Sequence, residues 1–213
     1  MYLAIEGVIG VGKTTLARLL QPEFEAKLLL EAFEENPFLS KFYADRNRYA
    51  FQTQTFFLLS RYHQQRDAFA KSGSNGNLIA DYTFQKDALF ARLNLNGDEL
   101  DTYHLVHDAL AERLTTPDLI VYLQAETDIA MRRIAMRDRP YERNMDRSYI
   151  ESLNNVYEDY FNSSAAGKSL LIDTSPLDFV ARPEHLDQIV IRIRSALGVP
   201  PYQTELPLDE MSA

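Results

Sequence analysis

The segment GVIGVGKTT at residues 7–15 directly follows an apolar run, YLAIE at residues 2–6. It satisfies the pattern G-x-x-x-x-G-K-[ST] in the context that the pattern requires, a strand-like run before it and a helix-like stretch after it. In such a loop backbone N–H groups surround phosphate oxygens, while the lysine and the next hydroxyl reach the outer phosphates and Mg²⁺. The sequence therefore predicts a nucleotide-binding loop with Thr14 as a metal ligand, formed by Gly7, Gly10, Gly12, Lys13, Thr14 and Thr15.

Five short apolar runs alternate with stretches of helical periodicity along the chain. The runs lie at residues 2–6, 27–31, 77–81, 118–123 and 169–173, and the helical stretches at 13–20, 49–69, 99–114, 128–136, 148–161 and 183–197. Near-continuous apolar strands that alternate with helices are typical of a parallel sheet covered on both faces. We therefore expect an α/β protein with a P-loop kinase fold and a five-stranded parallel sheet. A single domain would span residues 1–213, with a flexible tail at 198–213.

Composition and charge exclude several classes of protein. The 213 residues are 46% hydrophobic, and 22 basic against 31 acidic residues give a net charge of −9, which argues against a general nucleic-acid binder. The absence of cysteine excludes disulfides and thiolate zinc sites. No apolar run approaches the roughly 20 residues that cross a bilayer, and no export signal opens the chain. We expect a cytoplasmic protein with no membrane or nucleic-acid partner.

A nucleotide-binding loop does not by itself specify a reaction. The N-K-x-D and D-x-x-G strings of a GTPase do not occur in the chain. A small kinase should instead carry an acid at the end of strand two, a carboxylate at the end of strand three and a late arginine-rich lid. Glu31, Asp81 and the segment RRIAMRDRPYERNMDR at residues 132–147 meet these three requirements, with the lid itself at about 137–147.

Each of these kinase features also has a structural alternative. At the carboxyl ends of parallel strands, Asp81 would ligate Mg²⁺ and Glu31 would accept a proton from an attacking hydroxyl. Asp81 would otherwise cap the next helix, and Glu31 would be a solvated acid of the EAFEEN segment. Arginines 133, 137 and 139 would stabilise the charge of a transferring phosphoryl group, or else form a solvated basic surface paired with neighbouring aspartates.

Taken in order, these motifs resemble the deoxynucleoside kinase family over nearly the whole chain. EAFEENPFL at residues 31–39 is similar to a family segment with the general base at Glu31, and FQTQTFFLLSR at 51–61 is similar to the helix that reads the base. The lid resembles the family's R-x-x-x-R-x-R…E pattern, and DTSPLDF at 173–179 resembles the loop around the adenine of ATP.

The resemblance implies a role for further residues. Tyr43 and Glu142 would hold the sugar 3′-hydroxyl, and Asp178 and Phe179 would contact adenine. Gln54 and Arg61 would read the base, with Asp87 as the acid that pairs with Arg61. With Glu31 and Lys13, the catalytic set would then include Arg133, Arg137 and Arg139, which would face the phosphates. The chain departs from the family where E-R-S or D-R-S becomes Asp81-Tyr82-Thr83, which removes an arginine. We hypothesise that Lys86 or a lid arginine compensates for this loss.

The reaction implied is phosphoryl transfer from ATP, with Mg²⁺, to the 5′-hydroxyl of a 2′-deoxynucleoside in nucleotide salvage. The resemblance to bacterial members favours a purine nucleoside, without separating adenine from guanine, and a homodimer with the helix around residues 103–107 at its contact. One alternative is a nucleoside monophosphate kinase of the thymidylate kinase type. Another, from a different class, is a non-catalytic nucleotide-binding relative.

Overall fold

The apolar opening run forms the middle strand of the sheet, and all five of its residues are buried. The computed structural model describes residues 1–72, 76–163 and 166–199. Within them, parallel strands pair in the order β2-β3-β1-β4-β5, which confirms the predicted five-stranded parallel sheet. The strands are β1 (Tyr2–Glu6), β2 (Lys27–Leu29), β3 (Leu78–Ala80), β4 (Leu119–Gln124) and β5 (Ser169–Asp173).

Helices connect the strands and cover the sheet. They are α1 (Lys13–Glu23), α2 (Leu39–Ala44), α3 (Arg46–Ser72), α4 (Gln85–Asn94), α5 (Gly97–Ala111), α6 (Thr127–Arg137), α7 (Arg147–Asn162) and α8 (Pro183–Leu197). Short 3₁₀ helices span Phe33–Glu35 and Pro140–Glu142. In the part of the chain that is described, no helix is both long enough and apolar enough to cross a membrane.

Alternate residues of β1 belong to two separate hydrophobic clusters, as the period of a strand requires. Leu3 and Ile5 join the larger cluster, which includes buried residues of α1, α7 and α8. Tyr2 and Ala4 join a smaller cluster, against which Phe69 of α3 and its neighbour Ala68 pack. Both faces of the sheet are therefore covered, and its carboxyl-terminal edge is the place where ligand-binding side chains gather.

The nucleotide-binding loop between β1 and α1 depends on glycine at two points. Gly10 has φ +86°, and a Cβ atom there would lie 2.6 Å from the carbonyl oxygen of Ala130. Gly12 has φ +107° and lies against the ring of Phe179, which a Cβ atom would meet at 3.0 Å. A side chain at either position would push the loop away from α6 or from the segment after β5.

A single buried carboxylate joins β1 to two other parts of the fold. Glu6 is fully buried, and its Oε1 accepts from the backbone N–H of Thr83 (2.5 Å) and from the Thr83 hydroxyl (2.8 Å). Its Oε2 accepts from the N–H of Gly7 (3.2 Å) and from the hydroxyl of Tyr157 on α7 (3.0 Å). Glu6 thus links the start of the nucleotide-binding loop to the segment before α4 and to α7.

Several predicted boundaries differ from the observed ones. Strands β2 and β3 end two and one residues earlier than expected, so Glu31 and Asp81 follow their strands instead of ending them. Helix α3 extends beyond the predicted 49–69, and helices α2 and α4 were not predicted. The predicted tail is described only to residue 199, and residues 200–213 lie outside the described part of the chain.

We predict that Glu6→Gln lowers the free energy of unfolding by roughly 2–3 kcal/mol, measured by urea denaturation. Each carboxylate oxygen accepts one backbone N–H and one hydroxyl. A hydroxyl can turn to accept from the new NH₂ group, but a backbone N–H cannot, so either amide orientation leaves one N–H unsatisfied. Tyr157→Phe, the control, removes one donor and should cost about 1 kcal/mol. Equal losses for the two variants would contradict the prediction.

Candidate active site

A cavity of about 910 Å³ opens beside the nucleotide-binding loop. It brings together most of the residues predicted from the sequence: Gly10, Gly12, Lys13, Thr14, Thr15, Glu31, Tyr43, Gln54, Arg61, Asp81, Arg133, Arg137, Arg139, Glu142, Asp178 and Phe179. Of the predicted residues, Gly7 and Asp87 do not line it. Gly7 is the first residue of the loop, and Asp87 forms an ion pair with Arg61.

The ammonium group of Lys13 folds back onto its own loop. It donates hydrogen bonds to the carbonyl oxygens of Gly7 (2.7 Å) and Val8 (3.1 Å). Burial is the main reason that the pKa of Lys13 is lowered to about 8; the nearby ammonium of Lys86 acts in the same direction, and neighbouring carboxylates act in the opposite one. A phosphate group in the loop would form an ion pair with this ammonium group, and its negative charge would raise the pKa of Lys13.

A hydroxyl and a carboxylate meet beside Lys13. The Thr14 hydroxyl donates to Oδ2 of Asp81 (2.5 Å), and Oδ1 of Asp81 accepts from the backbone N–H of Glu31 (2.8 Å). Asp81 therefore connects the start of α1 to the segment that carries Glu31. A hydroxyl and a carboxylate in contact at a phosphate-binding loop are the protein ligands that Mg²⁺ commonly uses.

Glu31 lies between two cations. Lys86 of α4 contacts its Oε2 (2.5 Å), and Arg61 of α3 donates to its Oε1. Burial alone would raise the pKa of Glu31, but Arg61 and Lys86 together hold it well below its usual range. The carboxylate is consequently ionised at every physiological pH.

Arg61 has a second carboxylate partner. One end of its guanidinium group contacts Glu31 and the other contacts Asp87, and the side chains of Arg61 and Asp87 are 4% and 0% exposed. The plane of the guanidinium lies over the ring of Phe57, with its central carbon 4.6 Å from the ring centroid. Both ends of Arg61 are thus engaged by carboxylates in this structure, where the resemblance implied a contact with the base.

Helix α3 also contributes an uncharged polar side chain, Gln54, to the cavity wall. Gln54 is 3% exposed, and its amide makes no hydrogen bond within the described residues. Phe33, Leu39 and Phe57 supply apolar surface to the same cavity. A buried amide with free donors and an acceptor beside aromatic rings suits the edge of a planar heterocycle.

Polar groups from α2 and from the lid converge at another part of the cavity. The rings of Tyr43 and Tyr141 stack with their centroids 6.0 Å apart. Glu142 is 4% exposed and binds Arg137 through both carboxylate oxygens, and Arg139 lies 3.6 Å away. Burial raises the pKa of Tyr43 well above its ordinary value, and Tyr149 and Glu142 add to the effect. Its hydroxyl therefore stays protonated.

The third predicted lid arginine has a different environment. Arg133 donates to the carbonyl oxygen of Val11 (3.2 Å) and to the carbonyl and hydroxyl oxygens of Thr174 (2.9 and 3.0 Å). It thereby ties the nucleotide-binding loop to the end of β5. Asp178 accepts from the backbone N–H groups of two residues that follow it, and this turn holds Phe179 against Gly12.

The departure at Asp81-Tyr82-Thr83 has a clear structural consequence. Tyr82 is fully buried, its hydroxyl donates to Gln64 (3.1 Å), and it does not line the cavity. Tyr82 cannot replace the missing arginine, whereas Lys86 reaches Glu31 from the first turn of α4. Tyr141 and Phe90 also line the cavity and were not predicted from the sequence. No motif marked them, because the sequence did not predict α4 or the short helix of the lid.

Comparisons with known proteins agree with this geometry. The family model for deoxynucleoside kinase matches residues 3–197. A deoxyguanosine kinase of Bacillus subtilis is 34% identical over 92% of this chain and 97% of its own. A deoxyguanosine kinase of Lactobacillus acidophilus is 31% identical over 93% of each chain. The structure of a deoxyadenosine kinase from M. mycoides with bound dCTP superposes with a TM-score of 0.80 at 25% identity, covering 92% of this chain and 100% of that one.

We predict that ATP binding takes up protons at about pH 8.5, because the free protein holds Lys13 with a lowered pKa and the phosphates would raise it. Affinity should fall as the pH rises through 8 and Lys13 of the free protein loses its charge. Titration calorimetry in two buffers of different ionisation enthalpy measures the uptake. Lys13→Arg is the control, since an arginine stays charged and should abolish it. Equal proton uptake in the two proteins would contradict the assignment.

Proposed function

The chain belongs to the deoxynucleoside kinase family and is an ATP-dependent enzyme that phosphorylates a deoxynucleoside, and we propose that its acceptor is the 5′-hydroxyl of a purine 2′-deoxynucleoside. The observation that carries the choice of acceptor is the ionised Glu31 beside the nucleotide-binding loop. A carboxylate there can accept a proton from a neutral hydroxyl, whereas it would repel the phosphate of a nucleoside monophosphate.

The preference for a purine rests on two supports. Both curated relatives described above are deoxyguanosine kinases, and the superposed structure is a deoxyadenosine kinase. The cavity is large, and the amide of Gln54 offers a donor and an acceptor side by side next to Phe57. We propose that Gln54 binds the base edge and that Arg61, held by Asp87, provides further donors near it.

Proton transfer to Glu31 is proposed to occur late in the reaction. A carboxylate with a lowered pKa is a weak base towards an unreacted alcohol. The hydroxyl proton becomes acidic only as its oxygen bonds to phosphorus, and Glu31 then receives it. General-base assistance of this kind is commonly worth about 10²–10⁴ in rate.

Most of the rate acceleration would come from alignment and charge. We propose that Lys13, Arg137 and Arg139 neutralise the charge that spreads over the γ-phosphate oxygens in transfer. Arg133 acts from the junction of the loop and β5, where it already binds Val11. Closure of the lid would also exclude water, which competes with the nucleoside as acceptor.

We propose Mg²⁺ as the metal, with Thr14 and Asp81 as its protein ligands. Their contact at 2.5 Å supports the pair, and the described residues contain no cluster of three or more His, Cys, Asp or Glu that would hold a metal alone. Phosphate oxygens and water supply the remaining ligands in kinase sites of this kind. The ion, when bound, neutralises charge between the β- and γ-phosphates.

The remaining predicted residues are proposed to bind the sugar and the adenine of ATP. Tyr43, with a protonated hydroxyl, and Glu142, an acceptor, suit the donor and acceptor character of a 3′-hydroxyl. Asp178 shapes the turn, and Phe179 would contact the adenine ring next to the nucleotide-binding loop. The sequence prediction of a cytoplasmic location fits an enzyme of nucleotide salvage.

We predict that the protein, supplied with Mg·ATP, phosphorylates deoxyguanosine or deoxyadenosine faster than deoxycytidine or thymidine. The assay compares these four nucleosides with their 5′-monophosphates, and phosphorylated products are separated by chromatography. Glu31→Gln, which keeps the shape of the side chain, should lower kcat by about 10²–10⁴ and leave the Kd for ATP nearly unchanged.

Three outcomes of this assay would contradict the proposal. Transfer to monophosphates alone would indicate an enzyme of the thymidylate kinase type. Binding of ATP with no transfer to any acceptor would indicate a non-catalytic relative. Near-normal turnover by Glu31→Gln would remove Glu31 from the role of general base.

We also propose that the protein forms a homodimer through α5. Leu105 and Val106 are adjacent apolar residues of this helix and are 75% and 41% exposed. We predict a dimer mass by light scattering and a monomer after Leu105→Asp. Ile191→Asp on α8, also an exposed apolar position at 64%, is the matched control and should leave the mass unchanged. A monomeric wild-type protein would refute the dimer.

A further inference from the structure

The ammonium of Lys86 is buried at a position where a cation is unfavourable. Lys86 is the second residue of α4, and its side chain is 6% exposed. The amino-terminal end of a helix carries partial positive charge, so a buried lysine there is destabilised both by desolvation and by the helix. Such a group needs an anionic partner, and Oε2 of Glu31 supplies one at 2.5 Å.

We propose that Lys86 is a positioning residue for phosphoryl transfer, which holds the Glu31 carboxylate in the orientation that receives the proton of the acceptor hydroxyl. The inference rests on the proposed function, because it needs Glu31 to be the base. It assigns to Lys86 a task beyond that of a structural ion pair between α4 and the segment after β2.

The two cations at Glu31 are complementary in geometry. Arg61 contacts Oε1 and is itself fixed by Asp87, whereas Lys86 contacts Oε2 from a different helix. One contact would leave the carboxylate group free to rotate about its last carbon–carbon bond. Contacts to both oxygens define the plane of the carboxylate and the direction of its unused lone pairs.

The position of Lys86 is in turn set by the buried network around Glu6. The backbone N–H of Lys86 donates to the hydroxyl of Thr83 (3.3 Å), and that hydroxyl donates to Glu6 (2.8 Å). The first turn of α4 is therefore fixed to the strand that precedes the nucleotide-binding loop. This connection places the ammonium of Lys86 close enough to Lys13 for the two cations to influence each other.

Among the described residues, Arg61 and Lys86 are the cations that contact the Glu31 carboxylate, and Lys86 is the one that contacts Oε2. The charged and titratable groups that interact with Glu31 or with Arg61 include Lys13 of α1, Tyr43 of α2, Arg61 of α3, Asp81 and Tyr82 after β3, Lys86 and Asp87 of α4, Tyr103 of α5, and Tyr157 of α7. Of its cations, Lys13 binds the carbonyl oxygens of its own loop and Arg61 already holds Oε1. Loss of Lys86 would leave Oε2 without its ion-pair partner.

The test is a double-mutant cycle with Lys86→Met and Glu31→Gln, read as steady-state kinetics with a deoxynucleoside acceptor. Lys86→Met keeps most of the length of the side chain and removes its charge. We expect kcat to fall about 10²-fold, as misplacement of a reacting group does, with the KM and Kd for ATP within about twofold of the wild type. Lys86→Arg should restore most of the lost turnover. In the Glu31→Gln protein, Lys86→Met should lower kcat by less than about threefold, because the base on which it acts is already absent.

The control is Lys168→Met, the same substitution at an exposed lysine just before β5 that does not line the cavity. Its kinetics should equal those of the wild type. A wild-type kcat for Lys86→Met would overturn the proposal. So would an equal loss in the wild-type and Glu31→Gln backgrounds, which would indicate that Lys86 acts independently of Glu31.

The proposal can still be tested if the Lys86→Met protein does not fold. If Lys86→Met alone does not fold, Glu31→Gln is compared with the double variant. Neither protein contains the Glu31 carboxylate, which the loss of Lys86 would leave without its partner. Values of kcat within about threefold of each other in these two proteins support the proposal, and a larger loss in the double variant overturns it. Failure of the proposed function is distinct, because the wild-type protein itself would then phosphorylate no deoxynucleoside.

Discussion

The buried Glu6 carboxylate is the constraint on which the arrangement of the site depends. It ends the central strand and binds the first N–H of the nucleotide-binding loop, both donors of Thr83, and the hydroxyl of Tyr157. A fully buried carboxylate is costly unless its lone pairs are satisfied, and this one has four donors. The loop, the start of α4 and α7 are therefore held in one geometry, because movement of any of them would leave the buried carboxylate without one or more of its hydrogen-bond donors.

The sequence predicted those parts of the fold and site that have a local signature. The nucleotide-binding loop is a contiguous motif, and the strands follow from short apolar runs, so the five-stranded sheet was predictable. Helix α4 was missed because its face towards the site is polar: Lys86 and Asp87 are buried only through ion pairs with residues far away in the chain. No periodicity of apolar residues reports such a surface.

Pairing across the chain explains the other differences. Arg133 has the spacing of a lid arginine, yet it binds Thr174, 41 residues later, and Val11, 122 residues earlier. Arg61 was expected near the base, and it also reaches Glu31, 30 residues before it. Such contacts depend on which strands are neighbours in the sheet, and a single sequence carries no information on that order beyond general rules of topology.

The cations of the site fall into two groups that differ in how readily a ligand can recruit them. Arg61 and Lys86 have side chains that are 4% and 6% exposed and bind carboxylates that are themselves largely buried. Arg137 and Arg139 are 34% and 28% exposed, and both form ion pairs with Glu142. Separating a buried pair leaves an uncompensated charge, which costs several kcal/mol, about 3–5, whereas partly exposed pairs exchange partners at much lower cost. We therefore expect an incoming triphosphate to bind the lid arginines, which can leave Glu142 at low cost. Arg61 and Lys86 remain bound to Glu31 and keep its carboxylate oriented.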